Sequence, residues 1–201
     1  MARVLVTGSA GAIGRPVCAE LSRRGHQVRG LDRVSTPDVA DAVVVDLVDR
    51  EGVRRVILAS SIQALGKWWD LSRDEPAGPR DGLPSNHYAL TKVWAEHMGE
   101  MYARCYGLSI LAVRIAFMVR NPTEAARLEQ QKVYDMYLSR GDVGRFFAHA
   151  VEAPAIDFAV VYAVGLGGER RFDMEPARRL LGFEARDRWP DGLGFDPPAA
   201  S

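Results

Sequence analysis

The chain has 201 residues, 47% of them hydrophobic, and its 26 basic side chains balance 26 acidic ones. That length fits one good core and a single domain over 1–201. Zero net charge provides no field to draw in nucleic acid or an anionic membrane, and no apolar run approaches the ~18 residues of a membrane span.

The elements follow in chain order. Val4-Leu5-Val6 is a β-branched run ending at glycine, the pattern of a buried parallel strand. A helix is predicted from about Ile13 to Arg24, with Val17, Ala19 and Leu21 facing inward and Gly25 as its stop. Gln27 to Leu31 reads as a second strand that closes at Asp32. Val39 to Leu47 admits two readings: Ala42-Val43-Val44-Val45 favours a strand, while Thr36-Pro37-Asp38 is a plausible cap with proline at the first helical position. Arg55 to Ser60 is a strand.

Gly66 to Asn86, with Pro76, Pro79 and Pro84, is a long loop of the kind that carries function. Next come a long amphipathic helix (His87 to Tyr106), a strand (Leu108 to Ile115) and a helical region from about Thr123 to Leu138. A helix from Val143 to Glu152, a strand from Phe158 to Val164 and a short helix from Pro176 to Leu181 complete the pattern, and the 190–201 tail is expected to be loosely ordered. Alternation of this kind predicts an α/β fold: a Rossmann-like, doubly wound, mostly parallel sheet with helices on both faces.

Thr7-Gly8-Ser9-Ala10-Gly11-Ala12-Ile13-Gly14 lies between the first strand and helix, where a glycine turn acquires meaning. Gly8 allows the tight turn, Gly11 leaves room for a pyrophosphate beside backbone N–H groups, and Gly14 lets helix and strand approach. Ala12 and Ile13 lead into the helix, whose N-terminus supplies partial positive charge to phosphates. Asp32, 18 residues beyond Gly14, is placed to accept hydrogen bonds from adenosine ribose hydroxyls and to repel a 2′-phosphate. That favours NAD over NADP, with Arg33 as the counter-argument. The blander alternatives are a sterically required turn and a capping aspartate.

Tyr88 and Lys92, at i and i+4, share one helix face. A phenol serves as a base near neutrality only when its anion is stabilised, and a neighbouring ammonium does so. Lys92 can also bond the nicotinamide ribose. Ser61, at the end of the preceding strand, can hydrogen-bond the substrate oxygen that Tyr88 deprotonates. Alone, such a pair reads as a packed tyrosine and an exposed lysine; with the glycine turn upstream it reads as catalytic.

These residues resemble those of the extended short-chain dehydrogenase/reductases, specifically the NAD-dependent epimerase/dehydratase group. The likeness rests on Thr-Gly-x-x-Gly-x-Ile-Gly, on Val-Ile-Leu-Ala-Ser-Ser-x-x-x-x-Gly at Val56 to Gly66, on Tyr88-x-x-x-Lys92 and on Val113-Arg114-Ile115. It implies a core over 1–120 that binds NAD and a small substrate-side portion over 121–190. It selects Ser61 over Ser60 as the catalytic hydroxyl and implies that Asp46 and Leu47 contact the adenine. Within the group the chain is similar to the uronate dehydrogenases, through Ala59-Ser60-Ser61, Tyr137 to Asp142 and Glu152-Ala153-Pro154. That likeness implies hydride transfer from C1 of a cyclic sugar acid to NAD. The substrate-side candidates are Gln63, His87 and Arg127, the last because a guanidinium fork suits a carboxylate. Ile62-Gln63 stands where those enzymes carry a polar pair, and Lys67-Trp68-Trp69-Asp70 also differs from them.

The chain is shorter than the resemblance requires. A further strand and helix belong between Asp46 and Val56, the strand lying beside the first, yet Asp49 to Val53 runs almost directly into Arg54-Arg55. A parallel crossover needs about a dozen residues or more, so an internal deletion near 49–53 and a thinned cofactor wall are expected.

Three readings follow: an NAD-dependent oxidoreductase acting on a sugar or sugar acid; an epimerase or dehydratase using the same residues; and a nucleotide-binding protein whose catalytic groups no longer assemble. The resemblance also implies a homodimer through the Tyr88 helix, with Trp94, Met98 and Met101 as an interface stripe or, more simply, core. Cys18 and Cys105 lack metal-binding neighbours and read as buried reduced thiols, and Met1 to Gly8 reads as a strand and turn rather than a signal peptide; both fit a reducing cytoplasm. His26, His87, His97 and His149 show no metal-ligand spacing.

Overall fold

A computed structural model describes residues 1–32, 53–67 and 75–195. The expectations for Arg33, 39–47, Asp46, Leu47, the shortening at 49–53, the Trp68-Trp69 pair and residues 196–201 fall outside the described residues.

Ten elements are built on the alternating pattern: β1 (Arg3–Thr7), α1 (Gly14–Arg23), β2 (Gln27–Leu31), β3 (Arg55–Ser61), α2 (His87–Tyr106), β4 (Ser109–Ile115), α3 (Pro122–Gln131), α4 (Arg140–Glu152), β5 (Phe158–Ala163) and α5 (Glu175–Leu181). All strand pairs are parallel. β1 pairs with β2 from Arg3 opposite Gln27, β3 with β4 from Arg55 opposite Ser109, and β4 with β5 from Ile110 opposite Phe158. Among the described residues these strands form two sheets, β1-β2 and β3-β4-β5.

β4 is buried on both faces from Ile110 to Ile115, as expected of a central parallel strand. Leu111, Val113 and Ile115 join Phe146, Phe147 and Val161 in the main core, and Val17 and Leu21 of α1 reach the same cluster. α2 packs on the opposite face. Gly99 permits the approach: a Cβ there would lie 3.0 Å from Leu58 Cδ1 and 3.1 Å from Ile110 Cγ2. β1 and β2 are tied to the larger sheet through α1, which lies so close to α4 that a Cβ on Gly144 would come within 2.8 Å of the Pro16 carbonyl. At the rim, Arg24 and His26 both bond Glu152, at 2.6 and 3.0 Å.

Several boundaries differ from expectation for local reasons. α3 stops at Gln131 because Lys132 adopts a left-handed conformation (φ 53°), and a 3-10 turn over Tyr134–Met136 replaces the helix expected as far as Leu138. α4 starts earlier than predicted, at Arg140, because the Ser139 hydroxyl accepts the Asp142 N–H at 2.9 Å. Ala19 is exposed rather than inward. Cys18 is buried as expected, whereas Cys105, on the outer side of the last turn of α2, is exposed. In the region expected to be loosely ordered, Leu193 and Phe195 pack against Val119, Ala125, Leu128 and Tyr137, and the Tyr137 hydroxyl donates to the Asp191 carbonyl at 2.7 Å.

Candidate active site

The glycine turn sits at the carboxyl end of β1. Gly8 takes φ +69°, a region in which a side chain is strained, and its N–H donates to Leu31 O at 2.7 Å. A Cβ on Gly14 would stand 2.1 Å from Gly8 O and 2.6 Å from Ser9 Cα, so only glycine fits where α1 meets the turn. Gly11, whose Cβ would lie 3.1 Å from Gly8 O, is exposed, as is Ala12; Ile13 is half-buried at the N-cap. No side chain caps α1 and its first turn holds no acidic residue to offset the partial positive charge of its N-terminus, although the Arg15 N–H bonds Gly11 O at 3.1 Å and Pro16 carries no N–H. Asp32 follows β2 and accepts the Ala10 N–H at 3.0 Å, which fixes a carboxylate against the turn. The Gly8, Ser9, Ala10 and Gly11 amides are spent on shaping the turn, so what it offers a dinucleotide is close approach at the N-terminus of α1, with a carboxylate beside it for a ribose hydroxyl.

The second group lies at the carboxyl end of β3. Asn86 caps α2 by accepting the Ala89 N–H at 2.9 Å, an arrangement worth about 1 kcal/mol, and this starts the helix immediately before Tyr88. Tyr88 is 50% exposed. One turn later, the Lys92 ammonium lies 5.3 Å from the Tyr88 ring centre and donates to Ala59 O at 2.8 Å. Ser61 is buried, and its hydroxyl oxygen accepts the Gln63 N–H at 3.2 Å, leaving its own proton to donate. The fold therefore sets Lys92 against both Tyr88 and the strand end that carries Ser61. Gln63 and His87 are exposed beside them, on the turn after β3 and at the start of α2. Arg127 is exposed on α3, and among the described residues no hydrogen bond joins it to this group.

Beneath Tyr88 and Lys92 lies a charged network of which the sequence singles out only Arg114, within Val113-Arg114-Ile115, and gives it no role. Glu96, one turn beyond Lys92, accepts from Arg114 Nε at 2.9 Å and Nη2 at 2.8 Å, and from the Ser60 hydroxyl at 2.5 Å. Arg114 Nη1 donates to Tyr162 Oη at 2.9 Å and to Asp81 O at 2.6 Å, and the Tyr162 hydroxyl donates to Gly78 O at 2.9 Å. Burial alone would lower the Arg114 pKa, but hydrogen bonding to Glu96 and the charges nearby raise it instead. Burial pushes Tyr162 up to about 12, against the opposing pull of Arg114. The available signal was a lone arginine in the apolar run Leu111-Ala112-Val113-Arg114-Ile115, with a glutamate i+4 from the lysine.

A cavity of about 270 Å³ lined by Arg145, His149, Arg178, Phe183 and Arg186 lies between α4 and α5, and none of the candidate residues lines it. Among the described residues there is no cluster of metal-ligating side chains and no helix long and apolar enough to cross a membrane.

The "NAD dependent epimerase/dehydratase family" model matches residues 4–43 and 39–119, together more than half of the chain. The chain belongs to this family. The two matched stretches meet at 39–43, ahead of the 49–53 region where spacing alone put the shortening. The chain is 28% identical over 121 residues to the uronate dehydrogenase of Pseudomonas syringae, covering 60% of this chain and 41% of that protein. It is 27% identical over 146 residues to the NAD-dependent glucose-6-phosphate dehydrogenase of Haloferax volcanii, covering 68% and 54%. It spans about half the length of these curated relatives. Its fold resembles that of glucuronic acid dehydrogenase from Chromohalobacter salexigens, with TM-score 0.72 and 23% identity over 92% of this chain and 84% of that one.

Proposed function

We propose that the chain is an NAD-dependent oxidoreductase that transfers hydride between the cofactor and a sugar or sugar acid, with uronates as the substrate class. The observation that carries this reading is Lys92, held between the Tyr88 ring and the strand end bearing Ser61, at the carboxyl end of a parallel sheet. The residues of the turn, Gly8, Gly11, Ala12, Ile13, Gly14 and Asp32, are the proposed dinucleotide cradle, and Asp46 and Leu47 the adenine contacts. NAD bound there supplies the hydride acceptor. Ser61 donates a hydrogen bond to the substrate oxygen and keeps its proton, a role its engagement with the Gln63 N–H orients. Tyr88, as the phenolate that the neighbouring Lys92 ammonium stabilises, takes the proton of the reacting hydroxyl and becomes the neutral phenol. Gln63, His87 and Arg127 are the substrate-side candidates, with Arg127 for a carboxylate.

The similarity to a uronate dehydrogenase supports the substrate class. An epimerase or dehydratase of the same family would use the same three side chains. One observation favours a further reading, a nucleotide-binding protein without turnover: among the described residues no ladder joins β1-β2, which carries the cradle, to β3-β4-β5, which carries the proton-transfer groups. Calorimetry of NAD with wild type beside Gly11→Asp tests the proposal. Micromolar binding that the substitution abolishes, followed by NADH production from a uronate or aldose, supports it; a folded wild-type chain that binds no NAD overturns it.

A homodimer through α2 is part of the proposal. Leu90, Trp94, Met98, Tyr102 and Tyr106 recur every fourth residue and are all exposed, Trp94 by 62% and Met98 by 58%, rather than forming core. An exposed unpaired thiol at Cys105 suits a reducing cytoplasm.

A further inference from the structure

We propose that Arg114 and Glu96 are positioning residues of the Tyr88–Lys92 site, forming a buried clamp that fixes the segment ahead of Tyr88 to the carboxyl end of the sheet. The proposal rests on the oxidoreductase reading only for its effect on turnover. An arginine and a glutamate that are 3% and 5% exposed incur a large desolvation cost, and a well-packed apolar pair would avoid it. Here the pair is woven into four elements. Glu96 belongs to α2, one and two turns after Lys92 and Tyr88. Arg114 belongs to β4, Ser60 to the end of β3 and Tyr162 to β5.

The same guanidinium and the Tyr162 hydroxyl grip two carbonyls, Asp81 O and Gly78 O, in the segment that leads into α2. That segment is a tight turn closed by Asp81 N–H to Gly78 O at 3.1 Å and Gly78 N–H to Asp81 Oδ2 at 2.7 Å, and Leu83 N–H then bonds Leu65 O at 3.1 Å. Five residues after Leu83 comes Tyr88. One network therefore sets the axial position of α2 through Glu96 and the approach of its first turn through Arg114 and Tyr162. A phenol that must meet a reacting hydroxyl within hydrogen-bond reach needs both fixed.

The test uses the full chain with Tyr162→Phe, Arg114→Lys and Glu96→Gln. Tyr162→Phe deletes one oxygen while the ring keeps its place against Phe172, so it retains the fold; Arg114→Lys keeps the charge but loses the fork. Hydrogen exchange at the amides of Gly78, Asp81 and Leu83 is read in each, beside kcat and KM for NAD. The clamp predicts faster exchange at these amides in Tyr162→Phe and Arg114→Lys, and kcat reduced about tenfold with KM for NAD unchanged within about twofold. Unchanged exchange in Tyr162→Phe overturns the proposal, as does faster exchange with kcat intact. If wild type turns over no sugar, the oxidoreductase reading fails alone. The exchange result then decides the clamp: faster exchange supports it and unchanged exchange removes it.

Discussion

The Lys92 ammonium donates to the Ala59 carbonyl at 2.8 Å, so the side chain assigned to the ribose and the phenolate also fastens α2 to β3. Lys92→Met is therefore expected to act twice. Turnover should fall by about two orders of magnitude or more, and unfolding free energy by about 1–2 kcal/mol. Tyr88→Phe should lose comparable turnover at unchanged stability, because among the described residues the Tyr88 hydroxyl makes no hydrogen bond and the residue is half exposed. Steady-state kinetics and urea titration of the two variants check the contrast.

Two glycines should respond differently to the same methyl group. At Gly14 a Cβ would collide with Gly8 O at 2.1 Å, so Gly14→Ala must displace the turn. It is expected to cost about 1–3 kcal/mol and to abolish NAD binding. At Gly25, with φ +81° and nothing within 4 Å, Ala meets only backbone strain, about 1 kcal/mol, and NAD binding should survive. Denaturant unfolding and calorimetry on both variants separate packing from conformation.

Two of the six tyrosines should titrate late. Burial, joined for Tyr137 by the charges of Asp187 and Asp191, raises Tyr137 and Tyr162 from 10.0 to about 12 in the folded chain. Each holds its proton more tightly folded than unfolded. That contribution to stability is complete below pH 10 and is lost as pH rises from 10 to about 12. A late step in tyrosinate absorbance should coincide with loss of structure by circular dichroism. Tyr162→Phe should move that loss to higher pH, and an unmoved transition would remove Tyr162 as its cause.

The stripe on α2 predicts an oligomeric state. Trp94→Asp with Met98→Asp places charge at the two most exposed apolar positions of the stripe, and both side chains stand outside the core. Sedimentation should shift from dimer to monomer while NAD binding persists. A wild-type chain that is monomeric at micromolar concentration would dismiss the dimer.

The sequence was most legible where one local rule acted alone. The bounds of α2, His87 to Tyr106, were legible because Asn86 caps one end and Gly107 turns left-handed at the other, and Gly14 was legible from its place between strand and helix. Legibility failed where tertiary contacts decided. Lys132 ends α3 by a backbone turn that its side chain does not announce. Trp94 and Met98 have the spacing of a core stripe and lie on the outside. Tyr88 and Lys92 stood out because the glycine turn upstream gave their spacing meaning, whereas Glu96 did not: it looks like an ordinary helix surface residue, and Arg114, the partner that buries it, is 18 positions away. Leu193 and Phe195 were hidden by the glycines and prolines around them.

The division of strands between β1 and β3 bears on cooperativity as well as on chemistry. No ladder among the described residues joins β1-β2 to β3-β4-β5; there the N-terminal unit is held by the α1–α4 contact, by Val4, Val6 and Val28 against the main core and by the Glu152 ion pairs. Melting should then proceed in two calorimetric stages, the smaller first. A dinucleotide spanning both units would be a mechanical strut, and its saturation should merge the two stages into one.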